Sequence, residues 1–257
     1  MLNVIICEGT TDLVLLQYLL EKNYKWEYVK TSDYKKYTNK IIKINHIKKI
    51  KWFKKNDNFL CIIPAGGCSK ICSALECILD INSIQISNFF QNIVILTDND
   101  DIDTPRKFIN NVQEKFGNHG ISFQSNITNN DWNETTFKNV LNQSISINFL
   151  PLIIPFDENG AIETFLLNAI KNNSIRNDLE QVDKLVVEQC IDFIENIDCK
   201  DKYLNKRRDI TKAKFDTVFV VMTPADAFAE RQNLLRNVPW HEYELIRDNF
   251  KKLSHLG

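Results

Sequence analysis

The 257-residue sequence predicts an α/β fold: a mainly parallel sheet flanked by helices, with a lysine-rich insertion and a helical C-terminal region. Three observations predict it. Short β-branched apolar runs alternate with amphipathic stretches through the N-terminal half, which is the pattern of βαβ units. Each of the first three runs ends in a turn rich in Gly or Asp, followed by a helical stripe. From Gly160 onward the runs lengthen and read as helices.

Leu2–Cys7 is apolar and short, a buried strand, and Thr10 or Thr11 is placed to cap a helix over Leu13–Glu21 with apolar residues at Leu13, Leu16, Leu19 and Leu20. Phe59–Pro64 is a second strand, followed by the turn Ala65-Gly66-Gly67 and a helix over Ser69–Leu79. Asn92–Thr97 is a third strand, ending in Asp98-Asn99-Asp100-Asp101. Thr104-Pro105 opens the next helix, which runs to Phe116 with Gly117 as its stop. Ile121–Gln124 and Phe149–Ile154 are further strands. Helices are expected over Ala161–Lys171, Asn177–Asn196, Tyr203–Met222, Ala225–Asn237 and His241–Leu253, with Val218–Met222 able to be a strand instead. The domain reading is 1–175 for the α/β part, with 22–57 inserted, and 176–257 for the helical region.

Composition narrows the function classes. With 44% hydrophobic and 25% charged residues the chain is neither disordered nor fibrous, and its length suffices to bury a core. No stretch approaches the ~18 apolar residues of a membrane span, and the start carries no secretory pattern, so a cytoplasmic protein without a membrane partner is expected. Seven cysteines, several inside strand or helix patterns, fit a reducing compartment rather than a disulfide framework. Cys68, Cys72 and Cys77 lack the Cys-x-x-Cys spacing of structural zinc. Asn and Ile together make up roughly a quarter of the chain, a bias that inflates Lys and Asn runs everywhere.

Charge segregation exceeds that bias. Between Lys22 and Lys55 twelve lysines face two acids, a local balance of +10, so the rest of the chain carries about −11 against an overall −1. Tyr24, Trp26, Tyr28, Tyr34, Tyr37, Trp52 and Phe53 are interleaved, as in segments that grip a phosphate backbone and stack bases. Lys48, Lys49, Lys51, Lys54 and Lys55 are the candidate contacts there, in what reads as a helix plus hairpin. Lys70, after the Gly66-Gly67 turn, is a sixth. A solvated surface insertion is the competing reading.

In an open parallel sheet, ligands bind outside the carboxyl ends of the strands. Glu8 ends the first strand, Asp98 and Asp100 end the third, Asp12 lies one helical turn beyond Glu8, and Glu163 opens the helix after Phe149–Ile154. Carboxylates so gathered repel one another unless a cation neutralises them, and hard oxygen donors suit Mg²⁺ or Mn²⁺ better than Zn²⁺. A solvated Asx turn, or an Asp-x-Asp phosphatase motif, would use Asp98 and Asp100 differently, although the latter normally follows the first strand.

The run Val4-Ile5-Ile6-Cys7-Glu8-Gly9-Thr10-Thr11-Asp12, with Ile93-Val94-Ile95-Leu96-Thr97-Asp98-Asn99-Asp100 downstream, resembles the TOPRIM domain of topoisomerases, bacterial primases, ribosomal-RNA maturases and OLD-family nucleases. Gly160-Ala161-Ile162-Glu163 makes it most similar to OLD-type nucleases and small stand-alone TOPRIM proteins. The resemblance covers residues 1–125 and, loosely, 149–170. It implies that Glu8, Asp98 and Asp100 ligate one metal, that Asp12 and Glu163 help to hold a second, and that a late lysine, Lys212 or Lys214, stabilises charge. Asn99 stands where a small residue is usual. No Gly-x-x-x-x-Gly-Lys-Ser/Thr stretch is present, so an ATPase would be a separate subunit.

The expectation is therefore an Mg²⁺- or Mn²⁺-dependent nuclease, with one or two ions, acting on DNA or RNA. The resemblance adds a role in antiphage defence and a separate ATPase as partner, and the C-terminal helices offer a surface for homo-oligomers. The alternative is a non-catalytic or partner-activated nucleic-acid-binding subunit, and a small-molecule phosphotransferase or phosphatase is a third reading.

Overall fold

The computed structural model describes residues 1–30, 50–84, 89–173, 180–197, 200–224 and 235–257. The chain divides into two compact units. Met1–Ile153 and Lys252–Gly257 form the first, and Ile154–Lys251 the second.

The first unit is built on one eight-stranded mixed sheet. In chain order the strands are β1 (Leu2–Cys7), β2 (Glu27–Val29), β3 (Lys51–Lys55), β4 (Asn58–Pro64), β5 (Phe90–Asp98), β6 (Ser122–Phe123), β7 (Asn133–Lys138) and β8 (Ser144–Ile154). In space they run β2-β3-β4-β1-β5-β8-β7-β6. The centre is parallel, with β1 flanked by β4 and β5. The flanks are antiparallel, with β2 on β3, β3 on β4, β6 on β7 and β7 on β8. All six β1 residues are buried, as expected for a strand covered on both faces. β7 instead buries alternate residues, Asn133, Thr135 and Phe137.

Helices α1 (Thr10–Tyr24), α2 (Cys68–Ile84) and α3 (Thr104–Asn118) follow β1, β4 and β5. α1 begins earlier than the sequence reading placed it. Its N-cap is Gly9 rather than a threonine, because Asp12 at N3 reaches back and accepts the Gly9 N–H at 2.7 Å. α3 opens with Pro105 in its first turn, as expected, but continues through Gly117. The strongest packing centre beneath β8 is aromatic. Phe116 stands edge-on to Phe123 and Phe149 at 5.0 and 5.4 Å.

The lysine-rich segment is less of an appendage than expected. Its described ends, β2 and β3, continue the main sheet, and Trp26, Trp52 and Phe53 are fully buried core residues. The expected helix and the remainder of the hairpin, residues 31–49, lie outside the described residues.

The second unit is helical: α4 (Ile162–Lys171), α5 (Glu180–Asn196), α6 (Lys200–Tyr203), α7 (Arg207–Met222), a 3₁₀ turn Trp240–Glu242 and α8 (Glu244–Phe250). The expected helix Tyr203–Met222 forms from Arg207 to Met222, while Tyr203 ends the separate α6. Lys206, in extended conformation at the N-cap of α7, separates them. Val218–Met222 is helical. Phe215 and Phe219 stack at 4.6 Å, and Trp240 packs on Tyr243 while donating its indole N–H to the Leu235 carbonyl at 2.7 Å. Most of the expected helix 225–237 lies outside the described residues. None of the described helices is long and apolar enough to cross a membrane.

Candidate functional site

The chain leaves β1 toward the β4 side of the sheet and leaves β5 toward the β8 side. The carboxyl ends of these adjacent strands therefore flank the point at which the strand order reverses, where α/β sheets open a crevice for ligands. The register pairs Cys7 with Leu96, so Glu8 emerges beside Thr97.

Glu8 is held there by three sets of hydrogen bonds. Its Oε1 accepts the Thr97 hydroxyl at 2.5 Å and the Asp98 backbone N–H at 3.0 Å. Its carbonyl accepts the N–H groups of Gly66 and Gly67 at 2.8 and 2.9 Å. Those two glycines adopt φ +88° and +128°, values that side chains rarely tolerate, and this is what turns the chain from β4 into α2 across the end of β1. Glu8 thus ties the ends of β1, β4 and β5 together, and the sequence-separated Glu8 and Asp98 are neighbours.

Two thiols report the sign of the local field. Burial pushes the Cys7 thiol well above its ordinary value, and the negative charges of Asp12 and Glu8 push further in the same direction. Cys68, at the head of α2, is raised by partial burial first and then by Glu8, with Asp100 adding to this and the Thr97 hydroxyl opposing it. Cys68, Thr97, Glu8 and Asp100 therefore share one neighbourhood. Sequence reasoning missed Thr97, which looks like any β-former inside a strand, and weighed Cys68 only as a zinc ligand.

Asp12 is buried in the first turn of α1 with Oδ2 engaged in capping. Glu163 is buried in the first turn of α4, in the second unit. Lys212 and Lys214 lie on α7 in that unit, and Lys214 is paired with Glu195. Lys48 and Lys49 lie outside the described residues. On β3, Lys51 pairs in register with Ile62 and Lys55 with Asn58, so the basic strip runs from near the Glu8 edge of the sheet toward the opposite edge. Lys51 sits over the half-exposed Tyr28 ring at 5.2 Å, Lys54 over Phe59 at 5.7 Å, and Lys55 donates to the Gly257 carbonyl at 2.7 Å. Lys70 is exposed on the first turn of α2, and its Nζ would lie 3.8 Å from a Cβ placed on Gly66.

Among the described residues no three His, Cys, Asp or Glu side chains form a ready-made metal cage. The donors at the β1–β5 crevice are hard carboxylate oxygens, with Glu8 Oε1 already occupied by Thr97 and Asp98. Such a set fits a cation that takes one or two carboxylates directly and keeps most of its water, which is how Mg²⁺ is commonly bound.

Residues 2–235 match the family described as a protein of unknown function, DUF3226. The chain belongs to DUF3226. This DUF3226 chain is also similar to the crystal structure of hypothetical protein PH0156 from Pyrococcus horikoshii OT3, with a TM-score of 0.51 and 15% identity over 98% of this chain and 99% of that one. At that identity the likeness speaks for the fold alone. No curated protein matches the DUF3226 chain in sequence.

Proposed function

We propose that this DUF3226 protein is a TOPRIM-like, Mg²⁺- or Mn²⁺-dependent hydrolase of phosphodiester bonds in DNA or RNA. The observation that carries the reading is the Glu8 carboxylate bound to Thr97 and to the backbone of Asp98 at the crevice where the strand order reverses. Glu8, Asp98 and Asp100 would hold the ion, and Asp12 is the reserve carboxylate for a second one. Bound there, the ion supplies Lewis acidity to a phosphoryl oxygen and an acidified water.

The chain's own groups do the rest. Thr97 and the Asp98 amide fix the orientation of Glu8, so its negative charge is aimed before any ligand arrives. The Gly66-Gly67 turn holds the Glu8 backbone. The β3 lysines, with Tyr28, offer a cationic and aromatic strip for a nucleic-acid strand. In this reading the protein is a cytoplasmic nuclease and an effector of antiphage defence.

The test is cleavage of supercoiled plasmid, single-stranded DNA and tRNA with Mg²⁺ or Mn²⁺, comparing wild type with Glu8→Gln and Asp98→Asn. Glutamine still offers one oxygen to Thr97 and Asp98, so Glu8→Gln removes charge with little loss of fold. Cleavage by the wild type and a drop of about 10³-fold or more in both variants is expected. Equal cleavage by all three proteins rejects the reading.

A further inference from the structure

We propose that Lys70 is the residue that contacts the scissile phosphodiester, donating its ammonium N–H to a non-bridging oxygen beside Glu8. This rests on the hydrolase reading above and gives it a substrate-binding residue.

Placement is the first argument. Lys70 follows the Ala65–Gly67 turn by three residues, and that turn is bonded to the Glu8 carbonyl through Gly66 and Gly67. The side chain folds back over the turn, with Nζ in ordinary contact range of a Cβ on Gly66 and Cδ at 4.0 Å. In this bent form the ammonium lies over the turn that holds Glu8 rather than extended into water.

Availability is the second. The other cations on α2 and α3 are already paired: Arg106 and Lys107 with Asp103 at 3.6 and 3.5 Å, and Lys115 with Glu76 at 3.0 Å. Among the described residues the Lys70 ammonium has no ion-pair or hydrogen-bond partner. It lies over the turn whose N–H groups hold the Glu8 carbonyl, and it is free to accept an anion.

The chemistry needs such a charge. As the water oxygen bonds to phosphorus and the ester P–O bond breaks, negative charge accumulates on the non-bridging oxygens. The proton lost by the water ends on the departing alcohol oxygen. An ammonium fixed against a non-bridging oxygen stabilises that build-up, whereas the carboxylates alone oppose it.

The experiment compares wild type, Lys70→Ala, Lys70→Arg and, as a surface control, Lys107→Ala. Binding of a fluorescent single-stranded oligonucleotide is read by anisotropy across a salt series without divalent ions, and cleavage is read with Mn²⁺. Lys70→Ala is expected to bind about 3- to 10-fold more weakly at about 0.1 M salt, with a log–log salt slope shallower by about one. Its cleavage at saturating substrate is expected to fall about 10²-fold, with Lys70→Arg recovering most of the binding and Lys107→Ala unchanged. A Lys70→Ala slope equal to that of a wild type that binds and cleaves overturns this inference and leaves the hydrolase reading standing. A wild type that neither binds nor cleaves overturns both.

Discussion

At the residue scale, the orientation of Glu8 depends on a side chain that carries no charge. Thr97 is 2% exposed and gives its only hydroxyl proton to Glu8 Oε1. Thr97→Val preserves shape and strand propensity but leaves that oxygen with the Asp98 amide alone, so the carboxylate is freer to rotate. A supporting bond of this kind is commonly worth about 10- to 100-fold in metal affinity or activity. Thr97→Val is therefore expected to weaken Mn²⁺ binding by that factor in a calorimetric titration, and Thr97→Ser to restore it. Equal Mn²⁺ affinity in the valine variant would remove Thr97 from the site. The charged members were legible in the sequence because a carboxylate directly after a buried strand is a departure from pattern. Thr97 conforms to its strand, and Cys68 reaches the carboxylates only through the β4–α2 turn, so neither could be found without the fold.

At the element scale, three adjacent strands, β1, β5 and β8, are stitched by asparagines. Asn3 on β1 accepts from Asn92 on β5 at 2.7 Å, and Asn92 accepts from Asn148 on β8 at 2.8 Å. Asn3 also donates to the Phe59 and Leu256 carbonyls, both at 3.0 Å. Asn3 and Asn92 are 0% and 1% exposed, so an Asn3 oxygen left unmet has no water to turn to. Asn92→Leu would strand the Asn3 oxygen and one Asn148 N–H together. Asn148 is only half-buried and can turn to water, so the cost falls on the Asn3 oxygen: a loss of about 1–3 kcal/mol in urea unfolding is expected, with the secondary structure by circular dichroism unchanged. A loss below about 1 kcal/mol would mean that the sheet relaxes around the change. Asn-rich composition hid this ladder, since each asparagine looked like background. It also hid β7, whose buried face is Asn133, Thr135 and Phe137, so two of the three inward residues carry no hydrophobic signal. The parallel centre was legible for the opposite reason: β1, β4 and β5 are apolar on both faces, and no loop has that composition.

At the scale of the whole molecule, the last residues return to the sheet. Lys252–Gly257 belongs to the first unit although the residues before it belong to the second. Leu253 and Leu256 are fully buried, the Lys252 carbonyl accepts the Trp132 indole N–H at 3.2 Å, and His255 packs on the Trp132 ring at 5.1 Å. Leu253→Ala with Leu256→Ala is expected to cost about 4–8 kcal/mol, from about 2–4 for each fully buried leucine. That is enough to unfold a typical domain at 37 °C. The surface tie in the same segment should behave differently. Lys252 Nζ meets Asp131 at 2.6 Å, and this hydrogen bond, opposed by slight burial and aided by the Trp132 amide, holds the Asp131 carboxyl below its ordinary value. A depressed folded-state pKa contributes stability that is present above the unfolded value of about 3.9 and fades as pH falls through the folded one. Asp131 is largely exposed and Lys252 partly so, which limits the contribution to about that of a surface pair. Asp131→Asn should therefore lower Tm slightly at pH 7, and the difference from wild type should shrink as pH falls below about 4. In contrast, the deficit of the double leucine variant should persist at every pH, because burial of an aliphatic side chain carries no proton. A Tm gap for Asp131→Asn that widened in acid would mean that the Lys252 pairing is not the source of the Asp131 contribution.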